Sequence, residues 1–127
     1  MQEIHIEMTA KTPEVNLDHL RGKLELKGRS IPENSIEFYS PVFAWMDDYA
    51  NHPKPETALH IQLEYFNTSS SRCVLDILKK LQSINQSGQS KSKVYWYYEE
   101  DDEDMLEAGE DYQAIIKVPF EMVKIKA

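Results

Sequence analysis

The chain has 127 residues, of which 41% are hydrophobic and 28% charged, and its net charge is −8. This composition is typical of one folded domain, residues 1–127, that can bury a core without disulfides or metals. The negative charge would be repelled by phosphate backbones and anionic lipids, so neither nucleic acid nor a membrane is an expected partner. The single cysteine and the absence of a signal-like N-terminus favour a cytoplasmic location.

The first thirty residues predict β-strands. Apolar and polar residues alternate from Ile4 to Met8, EVNLD follows at Glu14 to Asp18, and KLELK lies between Gly22 and Gly28. Period-two alternation indicates strands with one buried face, and glycines commonly mark the ends of such segments. We expect these strands to pair antiparallel at one side of a sheet.

Helical spacing begins after Ile31. Apolar residues recur three or four positions apart, at Ile36, Tyr39, Phe43, Met46 and Ala50. This spacing predicts one buried helical stripe, widened by Val42, Trp45 and Tyr49. Because a proline ring clashes with the preceding helical turn, we expect an interruption, with Ser40 as a cap and Pro41 in the first position of a restarted helix.

Strands and helices alternate from Thr57 onward. The clearest strand, TALHIQLEYF, places four residues on one face: Leu59, Ile61, Leu63 and Tyr65. An amphipathic helix, the strand VYWYY at Val94 to Tyr98, a helix after the acidic run 99–104 and a last strand follow. The predicted order is β-β-β-α-β-α-β-α-β. We therefore expect the α/β class, with a mixed sheet, antiparallel N-terminal strands and about three helices packed against the sheet.

The sequence contains no recognisable catalytic or metal-binding constellation. Its four histidines match no zinc spacing, no phosphate-binding glycine loop is present, and the run 99–104 lacks the pattern of a calcium loop. We predict no catalytic residue, metal ligand or cofactor, and no enzymatic activity. One alternative function stays open: a small-ligand sensor with an aromatic pocket near Tyr95 to Tyr98.

The segment NTSSS, from Asn67 to Ser71, lies where the clearest strand meets a helix. Asn, Ser and Thr are preferred helix caps, but one cap needs only one such residue. Sites in α/β sheets tend to form beyond the carboxyl ends of the strands. A hydroxyl there would be open to a kinase, and phosphate is tolerated at a helix start. Capping alone and a phosphorylation switch both remain open on composition.

Two motifs carry a family resemblance. PENS at Pro32 to Ser35, followed by EFY, Pro41 and Trp45, and LEYFNTSS at Leu63 to Ser70 resemble the SiaC family of biofilm-regulation phosphoproteins. The similarity extends from about residue 12 to residue 125. It implies a fold similar to STAS domains, the type found in anti-sigma-factor antagonists.

The resemblance also implies a function. The threonine of NTSS, here Thr68, would be phosphorylated by a partner protein kinase and dephosphorylated by a PP2C-type phosphatase. The unphosphorylated form would bind and stimulate a diguanylate cyclase, raising cyclic di-GMP and promoting biofilm formation. An anti-sigma-factor antagonist is the alternative within the same fold.

Other residues are expected to contact a partner near Thr68. They are Asn67, Ser69 and Ser70 of NTSSS, Glu33, Asn34 and Ser35 of PENS, and Tyr65 near the end of the strand. For Asn34 and Ser35, a purely capping role at the start of the first helix is equally open.

Overall fold

The computed structural model describes residues 2–126. It contains nine elements: β1 (Ile4–Ile6), β2 (Glu14–Asp18), β3 (Lys23–Ser30), α1 (Ser35–Tyr49), β4 (Glu56–Phe66), α2 (Thr68–Gln86), β5 (Lys91–Glu99), α3 (Glu103–Ile115) and β6 (Phe120–Ile125). The predicted element order is confirmed.

The six strands form one mixed sheet in the order β1-β2-β3-β4-β5-β6. The pairs β1–β2 and β2–β3 are antiparallel, and the three pairs from β3 to β6 are parallel. Each parallel pair is connected through one helix. All three helices therefore begin at the edge of the sheet where the parallel strands end, and this carboxyl edge carries the candidate site.

The core lies between one face of the sheet and the helices. Leu24, Leu59 and Val94 lie side by side across three strands, and all three are buried. The predicted face of α2 is confirmed, because its apolar members are buried: Cys73, Val74, Ile77, Leu78, Leu81 and Ile84. Burying each large aliphatic side chain contributes about 1.5–3 kcal/mol. This packing fixes the position of α2 on the sheet.

The opposite face of the sheet is more polar and partly exposed. His60 stacks on Tyr95 at 4.6 Å, and its Nδ1 lies 2.8 Å from the Tyr97 hydroxyl. Trp96, between these tyrosines, is fully buried and donates its indole N–H to the Met105 carbonyl. The VYWYY run is thus divided between two faces of the sheet, with Tyr95 and Tyr97 on the partly exposed face beside His60.

Helix α1 differs from the prediction because it passes through Pro41 without a break. Pro41 cannot donate to the Glu37 carbonyl, but both residues are exposed, so water can solvate that carbonyl. The loss of about 3 kcal/mol or more is offset by the buried stripe on the other side of the helix. That stripe consists of Ser35, Tyr39, Val42, Trp45, Met46 and Tyr49.

Three members of the predicted stripe of α1 are not in it. Ile36 is 73% exposed, Ala50 also lies at the surface, and Phe43 is only partly buried against the core. The predicted widening of the stripe is confirmed, because Val42, Trp45 and Tyr49 are all buried. The buried face is centred closer to these three residues than the spacing suggested.

The pairing of β3 with β4 contains an irregularity near the site. Strand β3 does not end at Gly28, as predicted, but continues through it to Ser30. Gly28 pairs with Leu63 and Arg29 with Tyr65, so Glu64 is an extra residue in β4. The extra residue reverses the alternation, and the prediction that Tyr65 shares the face of Leu63 is therefore wrong. Tyr65 is 53% exposed.

Candidate functional site

Asn67 connects the end of β4 to the start of α2 and caps the helix. Its backbone N–H donates to the Ser30 carbonyl at 3.1 Å, which extends the sheet by one residue. Its extended backbone then leads into the helix, and its side-chain Oδ1 accepts the Ser70 N–H at 2.9 Å. Asn67 is thus the N-cap predicted for this segment, and Thr68 is the first helical residue.

The four hydroxyl residues after Asn67 have different surroundings. Thr68 is exposed, and its Oγ1 makes no hydrogen bond to any residue between positions 2 and 126. The Ser69 hydroxyl donates to Asn67 Oδ1 at 3.1 Å. Ser70 is fully buried, and Ser71 donates to the Thr68 carbonyl at 2.7 Å. Thr68 therefore carries the one uncommitted hydroxyl of this run in the described structure.

The start of α1 lies against the start of α2. Asn34 is the N-cap of α1, and its side chain accepts the Glu37 N–H at 3.1 Å. The next residue, Ser35, is buried, with its Oγ 2.7 Å from Ser69 Oγ and 3.3 Å from Ser70 Oγ. The PENS and NTSSS motifs are therefore in direct contact.

The contact between the two helix starts extends into the core. The Ser30 hydroxyl donates to Ser70 Oγ at 2.8 Å and lies 2.6 Å from the Tyr39 hydroxyl. Burial raises the pKa of Tyr39 to about 12, although the hydrogen bond to Ser30 opposes this shift. We refer to this series of hydrogen-bonded side chains as the hydroxyl chain; in order, it consists of Tyr39, Ser30, Ser70, Ser35 and Ser69, and it ends on Asn67.

Exposed apolar side chains accompany Thr68 at the carboxyl edge. Tyr65 precedes it by three residues in β4, and Ile36 follows Ser35 in the first turn of α1. Two other exposed apolar residues, Leu20 and Ile115, precede β3 and β6 and so lie at the opposite edge. Exposed apolar groups beside polar ones are typical of protein-binding surfaces.

The structure corrects part of the predicted contact set. Ser35 and Ser70 are buried, so neither presents its side chain to a partner; their hydroxyls bind other members of the hydroxyl chain. The remaining predicted residues reach the surface at least in part: Glu33, Asn34, Tyr65, Asn67, Thr68 and Ser69. Sequence reasoning missed Ile36 as a surface residue. Its place directly after PENS was the available signal.

Other reactive groups lie away from this surface. Burial raises the pKa of the Cys73 thiol, as expected for a packed side chain on the inner face of α2. Burial also lowers the pKa of His60. Within residues 2–126, no group of three or more His, Cys, Asp or Glu side chains could hold a metal ion. No helix in the same range is both long and apolar enough to cross a membrane.

The fold and the site define a class: a small α/β protein in which two helix starts and one uncommitted hydroxyl form a surface site. A family model described as the SiaC family regulatory phosphoprotein matches residues 6–125. The chain therefore belongs to the SiaC family. An uncharacterized protein of Pseudomonas aeruginosa (strain UCBPP-PA14) is 32% identical over 120 residues, which cover 94% of each chain.

Solved structures of the family have the same fold. The chain matches apo-SiaC from Pseudomonas aeruginosa with a TM-score of 0.88 and 31% identity, covering 97% of this chain and 99% of that one. It also matches a chain in the crystal structure of the diguanylate cyclase SiaD in complex with its activator SiaC, from the same organism. There the TM-score is 0.90 and the identity 30%, covering 96% and 99% of the two chains.

Proposed function

We propose that this protein is a non-enzymatic regulatory phosphoprotein whose unphosphorylated form binds and activates a diguanylate cyclase. Phosphorylation of Thr68 by a protein kinase ends this binding, and a PP2C-type phosphatase restores it. One observation carries the proposal: Thr68 presents an exposed, uncommitted hydroxyl at the first position of α2. The activator role of SiaC toward SiaD in the Pseudomonas aeruginosa complex supports the choice of partner.

Phosphorylation at this position would change the surface and leave the fold intact. Thr68 faces solvent, so a phosphoryl group needs no space in the core. At the amino-terminal end of a helix, negative charge is favoured by about 0.3–1 kcal/mol at an exposed site. The group adds roughly 1.5 to 2 negative charges. A partner shaped for a neutral threonine would meet both repulsion and the cost of dehydrating the phosphate.

Ile36 and Tyr65 supply the apolar part of the proposed docking surface. Both side chains are more than half exposed, and burying such side chains is the usual source of binding energy at protein interfaces. Ile36 lies in the first turn of α1 and Tyr65 near the end of β4, at the same edge of the sheet as Thr68, which supports a contact area that includes Thr68. The charge would therefore act inside the interface, where water is excluded and repulsion is least screened.

The test uses the purified protein and a diguanylate cyclase captured from an extract of the native host and identified by mass spectrometry. Cyclic di-GMP formation from GTP is measured with wild type, Thr68→Ala and Thr68→Glu. We expect Thr68→Ala to activate like the unphosphorylated wild type, and Thr68→Glu to activate less. The second effect should be partial, because a carboxylate carries only about half the charge of a phosphate.

Several outcomes would overturn the proposal. If Thr68→Ala and wild type accept equal amounts of phosphate in an extract of the native host supplied with ATP, Thr68 is not the modified residue. If the captured partner is an anti-sigma factor that affects transcription, the chain is an antagonist of that factor and the cyclase assignment is wrong. The same proposal includes a cytoplasmic location for the chain, since the cyclase, the kinase and the phosphatase would act on it there.

A further inference from the structure

The hydroxyl chain has a fixed direction of hydrogen bonding. Asn67 Oδ1 carries no proton, so Ser69 must be the donor in their 3.1 Å contact. A serine hydroxyl has only one proton. Having donated it to Asn67, Ser69 can only accept in its 2.7 Å contact with Ser35. Ser35 is therefore the donor to Ser69.

The limit of one proton per hydroxyl also determines which group donates in each inner hydrogen bond. Because the Ser35 proton is engaged by Ser69, Ser70 donates to Ser35 at 3.3 Å. Ser30 then donates to Ser70 at 2.8 Å, and Tyr39 donates to Ser30 at 2.6 Å. Every proton points from the core toward Asn67, and each serine of the chain both donates and accepts. No serine in it has a free proton.

Phosphoryl transfer requires a hydroxyl whose proton is free, and no serine of the hydroxyl chain has one. The acceptor oxygen forms a bond to the γ-phosphorus of a nucleoside triphosphate while the bond from that phosphorus to the bridging oxygen breaks. The nucleoside diphosphate leaves with the electron pair of the broken bond, and the hydroxyl proton passes to a base on the kinase. The hydroxyl must therefore turn toward the kinase with its proton available. Thr68 meets this requirement, and Ser69 does so only after breaking its bonds to Ser35 and Asn67.

We propose that Ser35 determines the specificity of phosphorylation: by holding the Ser69 hydroxyl from the neighbouring helix, it confines the modification to Thr68. This inference rests on the proposed function, since it presupposes a kinase acting at this segment. The contact with Ser35 matters for Ser69, because the Ser69 side chain is exposed like that of Thr68 and a kinase could otherwise reach it. Ser70 is protected by burial, and Ser71 by its bond to the Thr68 carbonyl. Two hydrogen bonds of ordinary net strength would slow transfer to Ser69 by roughly 5- to 150-fold.

The test replaces Thr68 and determines which of the remaining hydroxyls is phosphorylated. Thr68→Val, Thr68→Val with Ser35→Ala, and Thr68→Val with Ser40→Ala are incubated in an extract of the native host with ATP. Phosphate is assigned to single residues by fragment-ion mass spectrometry. We expect little phosphate on Ser69 in the single variant and about 2- to 13-fold more when Ser35 is also replaced, because that replacement removes one of the two hydrogen bonds of Ser69 and leaves its bond to Asn67. Ser40 is an exposed serine of α1 outside the hydroxyl chain, so its replacement should change nothing.

Folding is checked by thermal unfolding, because Ser35→Ala leaves the buried Ser70 hydroxyl without its acceptor. If that variant does not fold, Ser35→Cys, which fills the site with a slightly larger but only weakly hydrogen-bonding thiol, takes its place. Equal Ser69 phosphorylation with and without Ser35 would overturn the inference while leaving Thr68 phosphorylation in wild type untouched. Wild type that takes no phosphate on Thr68 would instead overturn the proposed function. The two failures are thus distinguishable.

Discussion

The hydroxyl oxygens of Ser35 and Ser69 lie 2.7 Å apart, although their positions differ by 34 in the sequence. This contact joins the first turns of α1 and α2 into one surface at the carboxyl edge of the sheet. It brings two short motifs that are distant in the sequence, PENS and NTSSS, into direct contact. A change at one helix start must alter the surroundings of the other.

Replacing Ile36 by alanine should weaken partner binding. Ile36 is 73% exposed beside Ser35, and losing most of its side chain removes apolar area from the proposed interface. We expect a loss of roughly 1–2 kcal/mol, or about 5- to 30-fold in Kd, by calorimetric titration with the captured cyclase. Ile115→Ala is the matched control, since Ile115 is 61% exposed but lies at the opposite edge. Equal effects of the two variants would contradict the placement of the docking surface.

The order of the hydroxyl chain predicts unequal effects of two substitutions in the core. Ser30→Ala leaves the buried Tyr39 hydroxyl without an acceptor and should lower the free energy of unfolding by about 1–3 kcal/mol. Tyr39→Phe removes only the first donor, and Ser30 still donates to Ser70, so a smaller loss of about 0.5–1.5 kcal/mol is expected. Urea denaturation measures both. The reverse ranking would show that the protons run in the other direction.

Stability should fall as the pH rises from about 10 to about 12. Burial raises the pKa of Tyr39 and that of Tyr112 to about 12, whereas an unfolded tyrosine titrates near 10. In this range the unfolded chain has lost protons that the folded chain keeps, so unfolding is favoured with increasing pH. Comparing urea midpoints at about pH 9 and about pH 11 tests this. Tyr39→Phe should reduce the difference between the two midpoints, and an unchanged difference would argue against burial of that hydroxyl.

Gly109→Ala should destabilise α3 against the sheet, although alanine is the better helix former. A Cβ at Gly109 would lie 2.4 Å from Trp96 Cδ1, too close for any real contact. Overpacking typically costs about 1–3 kcal/mol. Because three atoms of the buried Trp96 ring lie within 2.8 Å of the added Cβ, we expect a cost near the upper end, above the gain of about 1 kcal/mol in helix propensity. Thermal unfolding followed by tryptophan fluorescence reports the change. Glu107→Ala, at an exposed position of the same helix, should not lower the melting temperature.

Features that depend on local pattern could be predicted from the sequence. The buried face of α2 and the order of strands and helices follow from apolar spacing alone. A helix cap within NTSSS follows from residue type, and the structure identifies the cap as Asn67. The family motifs identified the segment that contains Thr68. Each of these depends on residues close together in the chain.

Features that depend on tertiary pairing could not be predicted. Pro41 is tolerated because α1 gains buried contacts on its inner face, and Tyr65 faces outward because of one extra residue opposite Gly28. Neither is visible in hydrophobic periodicity. The hydroxyl chain joins β3, α1 and α2, so its members resemble ordinary capping or surface serines until the fold brings them together.

Site-resolved mass spectrometry of the protein isolated from its native host, with phosphatases inhibited, identifies the hydroxyl that is modified in the cell. We expect a fraction of molecules that carry one phosphoryl group, located on Thr68, with none on Ser69, Ser70 or Ser71. Phosphate on one of these serines in place of Thr68, or a chain that is never phosphorylated between positions 67 and 71, would contradict this expectation.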